Sequence, residues 1–498
     1  MNVGSIGTRS QLSVQALVDM RRRLDDLQRQ LGTGKKSTTY AGLGIDRGLA
    51  TGLRAQLSAI ESYDHAITLV DVRLDLSRSV LGRMLDIRSS AKGWMQQPPD
   101  IRANGQSPAQ TSARSLLDEM LQLLNTQAGD RFLFAGREVA AAAVESTAHV
   151  LDGDGARAGL RQIIAERALA DLGASGLGRL ATSVAGGTLT LAEDAAGSPF
   201  GFKLAAANAT LSGATITGPS GTPPSVAVAL AANPNVGESI TFALDLPDGT
   251  QQALTLAAST AVPPAAGEFT IGPDPDTTAT NLQTALGVAL ANAAKTALVA
   301  ASAVAASEDF FAIDAGDPPL RVGGPPFETA TALVAGTVAD TVFWYTGEMS
   351  TAPARSSASA RVDDAIAINY GLRANEEGIR ALVQNVAAFA AISFDPNDAS
   401  APAAYAELTG RLAPALSGAQ GVQRIEDIAA DLAAAQVTLN ATSARHQQNR
   451  HVVGGLLEEI ESVPTEQVAA EILALQTRLQ ASLQTTALLS QLSLADYL

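Results

Sequence analysis

Thr465-Glu466-Gln467-Val468-Ala469-Ala470-Glu471-Ile472-Leu473-Ala474-Leu475-Gln476-Thr477-Arg478-Leu479 opens the last stretch of the chain, and its reading decides the fold class. Val468, Ile472, Leu475 and Leu479 are spaced 4, 3 and 4 apart, so they line one side of a helix. Leu483, Leu488, Leu489, Leu492 and Leu494 widen that side toward Leu498. Pro464 breaks whatever precedes, Thr465 can cap the new helix, and Glu466 stands where negative charge favours a helix N-terminus. One helix cannot bury such a stripe alone, so this element needs a partner.

The other chain end supplies a matching stripe. Ser10 and Ser13 lead into Leu17, Met20, Leu24, Leu27 and Leu31 in one heptad register, flanked by Arg21-Arg22-Arg23 and Asp25-Asp26. Gly32-Thr33-Gly34 ends that helix, and a glycine-rich loop follows through Tyr40, Gly42, Gly44 and Gly48. Leu49, Leu53, Gln56, Ile60, Tyr63, Ile67, Val70, Leu74, Ser77, Leu81 and Met84 then hold a and d positions without a skip. These 36 positions predict a rod of about 54 Å. Pro98-Pro99 closes it, and Ser107-Pro108 starts a third helix that carries Ala113, Leu117, Met120 and Leu124. Toward the other end, Ile379 to Phe389 and Tyr405 to Leu416 read as shorter helices. A second long seam follows: Ile425, Ile428, Leu432, Ala435, Leu439, Thr442, His446, Asn449, Val453, Leu456, Ile460 and Val463. The order is palindromic: short helix, long helix, insert, long helix, short helix.

Between the halves the composition changes. From about 138 to 340, glycine, alanine and threonine dominate. Pro223-Pro224 and Pro247-Asp248-Gly249 read as turns, and Ser239 to Leu244 alternates like a strand. One amphipathic helix is expected at Thr277 to Ala294, followed by a strand at Ala297 to Ala303. Further strands are expected at Arg131 to Gly136, Thr341 to Tyr345 and Arg361 to Tyr370. Residues 138–345 carry 20 acidic against 7 basic side chains, so most of the formal charge of −16 sits there. A mainly β (α+β) insert of one or two modules therefore faces solvent between mainly α termini, whose long antiparallel heptad helices form a coiled-coil bundle. The expected segments are 1–48, an assembly helix and loop; 49–137, half of a helical rod; 138–345, the insert; 346–463, the other half of the rod; and 464–498, the closing assembly helix.

The 498 residues exceed one ordinary core. Hydrophobic residues make up 46% of the chain but aromatics only 4%, which suits long helices and plain β-structure better than an aromatic-lined substrate pocket. The acidic balance argues against nucleic acid or an anionic membrane surface as partner. No cysteine is present, which excludes disulfides and thiolate metal sites. Met1 to Arg9 has no apolar core of a cleaved signal peptide, and no run approaches about 18 consecutive apolar residues, so no membrane insertion is expected.

Three motifs, in order and at both ends, resemble the bacterial flagellin family of filament flagellins and hook-filament junction proteins. They are Leu31-Gly32-Thr33-Gly34-Lys35-Lys36, Phe132-Leu133-Phe134-Ala135-Gly136, and Leu479-Gln480-Ala481-Ser482 running on to Leu492-Ser493-Leu494-Ala495-Asp496-Tyr497-Leu498. The resemblance covers roughly residues 5–136 and 341–498. It implies a non-enzymatic structural subunit, exported unfolded through the flagellar channel with an export chaperone and without a cleaved signal peptide. Outside the cell it would polymerise through its terminal helices into a helical homopolymer, next to neighbouring flagellar proteins. Ser37-Thr38-Thr39-Tyr40-Ala41-Gly42 stands where many members carry Asp-Asp-Pro, and the second and third motifs are more similar to the junction protein. The residues themselves leave another reading open: a secreted adhesin or binding module with an acidic β insert on a helical stalk.

On the flagellin-like reading the assembly seam is Leu17, Met20, Leu24, Leu27, Leu31, Val468, Ile472, Leu475, Leu479, Leu489 and Leu492. The rod seam is Ile60, Ile67, Val70, Leu74, Leu81, Leu432, Leu439, Val453, Leu456 and Ile460. No catalytic, cofactor or metal residues are expected. Gly32-Thr33-Gly34-Lys35-Lys36 is read as a helix stop, since a phosphate loop needs glycine where Arg29 stands and Ser or Thr directly after the lysine. Asp152-Gly153-Asp154-Gly155 is read as an acidic turn, because Ile163 stands where a calcium loop needs glutamate. His446 on the seam is read as a hydrogen-bonded core or interface histidine. Asp363-Asp364 would point to opposite faces of a strand.

Overall fold

Proline, glycine and serine punctuate the helices as the sequence pattern requires. A computed structural model describes residues 4–314, 316–418 and 421–495, with side chains at 4–10, 13 and 489–495 outside the described set. The helices are α1 (Gly4–Thr33), α2 (Arg47–Met95), α3 (Pro108–Leu124), α4 (Thr147–Asp152), α5 (Leu160–Leu172), α6 (Pro275–Ala293), α7 (Val299–Phe311), α8 (Glu377–Ala391), α9 (Ala401–Ala415), α10 (Ile425–Glu461) and α11 (Thr465–Ala495). Helix α1 stops where Gly34 takes φ +68°, a conformation that costs a side-chain-bearing residue energy. Helix α3 opens on a capping box: Ser107 Oγ accepts the Gln110 N–H at 3.2 Å, and Gln110 Oε1 accepts the Ser107 N–H at 2.9 Å. Helix α11 includes Thr465, so the cap position falls to Pro464, whose carbonyl accepts from Gln467 and Val468.

The fold is broadly α+β. Strands β1 (Gln127–Ala128) and β2 (Arg131–Phe132) form a short hairpin. One four-stranded sheet has the order β3-β4-β7-β6, with β3 Leu180–Ala185, β4 Thr188–Glu193, β6 Ala214–Ser220 and β7 Ser225–Leu230. The other has the order β10-β9-β8-β5, with β5 Lys203–Ala209, β8 Ser239–Asp245, β9 Gln251–Ser259 and β10 Glu268–Thr270. Burial alternates strictly along β4, β7 and β8, as expected where one face meets a core and the other meets water. Leu189, Leu191, Val226 and Val228 of one sheet share a single apolar cluster with Phe242, Leu244 and Leu256 of the other and with Leu282, Leu286 and Leu290 of α6. Two further hairpins are β11 (Leu320–Val322) with β12 (Leu333–Ala335), and β13 (Ser359–Arg361) with β14 (Ala367–Asn369).

Two compact units result. The first comprises Met1–Val70, Ala360–Ala367 and Val437–Leu498; the second comprises Asp71–Ser359 and Ile368–Gln436. Both boundaries on the long helices fall inside α2 and α10, away from the composition change near residue 138.

Four expected strands differ. Ala297–Ala303 is helical, continuing α6 through Ala294–Leu298 into α7. Alanine favours helix, and a run buried on nearly every side has no alternation to read. Thr341–Tyr345 makes only isolated bridges, at Ala158 and Val144, and its Trp344 indole instead donates to the Phe311 carbonyl at 3.1 Å. Arg361–Tyr370 is a hairpin whose turn holds Asp363 and Asp364, so the two carboxylates share a turn and not a strand. In Arg131–Gly136 the first two residues pair as strand, Ala135 makes only an isolated bridge with Arg373, and Phe134 and Ala135 turn into the core. The span Pro275–Phe311 is long and apolar enough to cross a membrane by length and composition, and 56% of its most apolar window is buried inside the second unit.

Candidate assembly surface

In the first unit, α1 and α11 run antiparallel and bury the stripe that each presents. Leu27, Val468, Ile472 and Leu475 form the buried centre, with Met20, Leu24 and Val463 packed on it. Leu17 and Leu479 are half-buried. Leu31 is 41% exposed, because α1 ends two residues later and the chain turns away at Gly34. The side chains of Leu489 and Leu492 lie outside the described residues. Apolar side chains also remain uncovered on these same two helices: Leu12 at 70% exposure, Leu473 at 65%, and Val14, Val18, Leu483 and Leu488.

The crossing that sets this pair is pinned by backbone. Lys35 and Ser462 form an antiparallel bridge in which Lys36 N–H donates to Glu461 at 2.7 Å and Val463 N–H donates to Gly34 at 3.0 Å. Lys36 Nζ reaches the Glu459 carbonyl at 3.0 Å. The Gly32 to Lys36 run is thus occupied as a helix stop and a tie, with its lysine turned onto main-chain carbonyls. Arg54 completes the junction, donating to Tyr40 at 2.7 Å and to Glu461 at 2.6 Å with its guanidinium 5.2 Å from the Tyr40 ring centroid.

The rod seam can be followed within each unit. In the first, Ile60, Ile67, Val70 and Leu439 are buried, and Val453 and Ile460 are half-buried. In the second, Leu74, Leu81 and Leu432 are buried. Leu456 departs from expectation at 47% exposure, and Leu457 is half-buried in its place. A helix with 3.6 residues per turn drifts about 20° per heptad against a strict 3.5 repeat, so a pattern counted from Ile425 slips by one residue near its end. Leu49 is likewise exposed while Ala50 is buried.

The seam's polar centre is His446, 2% exposed. Its Nδ1 lies 3.1 Å from Asp64 Oδ1, its Nε2 lies 3.7 Å from Asp363 Oδ2, and the Tyr63 ring is 5.9 Å away between centroids. Arg450 binds Asp64 and Arg445 binds Asp363. Tyr63 donates to Asp364 at 2.8 Å. Burial pushes the Asp363 carboxyl up, but the Asp364 N–H at 2.6 Å and the Arg445 guanidinium outweigh it and hold the group below the usual carboxylate range. Nothing in the sequence signalled that the Asp363-Asp364 turn would return to this histidine, because Asp363 and the neighbouring Arg445 that binds it stand 82 positions apart.

Other candidate chemistry is internally satisfied. Asp154 accepts the Arg157 backbone and side chain, which lowers its carboxyl to about 2, and Asp152 is bound by Arg114 and Arg161. Among the described residues no three His, Asp or Glu side chains converge as metal ligands. No protein-family model matches the chain, and no curated protein of known function matches it.

Proposed function

We propose that the chain is a structural subunit of the bacterial flagellum, a filament flagellin or hook-filament junction protein without catalytic activity. One observation carries the reading: the two ends of the chain pair through Leu27, Val468, Ile472 and Leu475, yet leave Leu12, Val14, Val18, Leu473, Leu483 and Leu488 uncovered on the same helices. Burying a leucine in a seam contributes roughly 1.5–3 kcal/mol, so a few such residues per contact hold a polymer together. The terminal motifs that resemble the flagellin family support the same role. On this account the terminal helices become a coiled-coil bundle shared with neighbouring copies, the acidic β-rich insert faces outward, and export proceeds unfolded with a chaperone to a site outside the cell.

Deleting residues 480–498 tests the reading. The truncated chain should remain folded in its second unit, by circular dichroism and thermal melting, and should fail to sediment as polymer or restore swimming. Normal filaments built from the truncated chain would overturn the proposal.

A further inference from the structure

In the second unit, α5 and α7 pack against each other around one guanidinium held between two carboxylates. Arg167 donates from Nε to Asp171 Oδ2 at 2.9 Å and from Nη1 to Asp309 Oδ2 at 2.9 Å. Its guanidinium lies 5.2 Å from the Phe200 ring centroid, which keeps water from that side. Asp171 is wholly buried and also accepts the Gly201 N–H at 2.8 Å. The neighbouring cations are engaged elsewhere: Arg321 with Glu166 at 2.6 Å, Arg179 with Asp194 at 2.6 Å, and Arg411 with Asp248 at 2.9 Å and with Glu407. Glu308, next to Asp309 in sequence, is exposed and adds a further carboxyl nearby. Among the described residues, Arg167 is thus the cation bound to both Asp171 and Asp309, and two ionised carboxylates would share its single charge, with Asp171 wholly buried and Asp309 partly exposed.

We propose that Asp171, Arg167 and Asp309 form a proton-holding brace between α5 and α7: one carboxyl of the pair keeps a proton that ordinary carboxyls have already released, and its release as pH rises loosens the two helices. This holds whatever the assembly role of the chain. Burial pushes Asp171 and Asp309 up, with the Arg167 guanidinium opposing it. A carboxyl raised in the folded state binds a proton that the unfolded chain has already released. Its contribution is therefore full below the ordinary carboxylate range and falls as pH rises toward and through the folded-state value.

Carbon-13 NMR of the full chain, labelled at aspartate carboxyls, reads the proton directly. One resonance should titrate above the ordinary carboxylate range and be lost from that range in Asp309→Asn, where Asp171 has Arg167 to itself. In the same samples, hydrogen exchange of α5 and α7 amides, corrected for intrinsic rates, should accelerate about tenfold for each unit by which the raised carboxyl exceeds its unfolded value. Asp309→Asn should flatten that dependence. Aspartates that all titrate in or below the ordinary range in the unmodified chain would overturn the proposal, and so would an Asp309→Asn variant with an unchanged titration and slope.

Discussion

Arg54 and Glu461, 407 residues apart in the chain, meet at 2.6 Å. The pair lies where the start of α2, the end of α10 and the tie between Lys35 and Ser462 come together, next to the point at which α11 departs. Arg54 is substantially exposed, so this contact contributes orientation more than stability. The junction fixes where α1 ends and α11 begins, and the apolar stripe does the rest.

On the proposed role, folding and assembly fall to different faces of these helices. Leu475→Asp puts a charge in the buried centre of the α1–α11 pair and should cost about 3 kcal/mol, seen as faster hydrogen exchange along α11. Leu473→Asp, on the exposed side, should leave that exchange unchanged and reduce polymerisation in a sedimentation assay. Equal behaviour of the two variants would contradict the assignment of faces.

The node at His446 predicts an acid limb. Asp363 is held below the usual carboxylate range, so its contribution is present above that range and is lost as pH falls through the lower folded-state value. Asp363→Asn should remove this limb from the acid-unfolding curve of the first unit. His446→Leu deletes the imidazole that bridges Asp64 and Asp363 and should cost about 2 kcal/mol in urea unfolding.

The entry to α3 offers a graded pair of variants. Ser107→Ala removes a cap and should cost about 1 kcal/mol. Gln110→Leu should cost more, because Gln110 is fully buried and its amide also donates to the carbonyls of Phe389 at 3.0 Å and Ile392 at 2.9 Å. Thermal melts that rank the two variants in the opposite order would contradict this.

In the insert, Glu238 accepts from the Ser212 hydroxyl and N–H and from Asn235, which lowers its carboxyl to about 2. An NMR titration should find this glutamate ionised where ordinary glutamates have taken up a proton. Ser212→Ala should move its titration back toward them.

The periodic helices were legible because their stripes are one-sided: Val468, Ile472 and Leu475 stood out at once, as did the Ser107-Pro108 start. Where burial surrounds a segment, the pattern carries no phase, and the run from Ala297 to Ala303 for that reason reads as strand in the sequence but folds as helix. Leu456 was misplaced by counting in heptads along a helix that does not keep them. Of the polar node, His446 was legible as a core histidine, but its partners were not, since Asp363 arrives from a distant hairpin turn. The Arg167 brace was invisible for the same reason: Asp309 lies 142 residues away in sequence.

The proposal that this chain is a building block of the flagellum is tested by immuno-electron microscopy of intact cells. Antibody against the acidic insert should decorate flagella, along the filament for a flagellin or only at the hook-filament junction for a junction protein. Label spread over the cell surface and absent from flagella, with swimming intact when the gene is deleted, would contradict it.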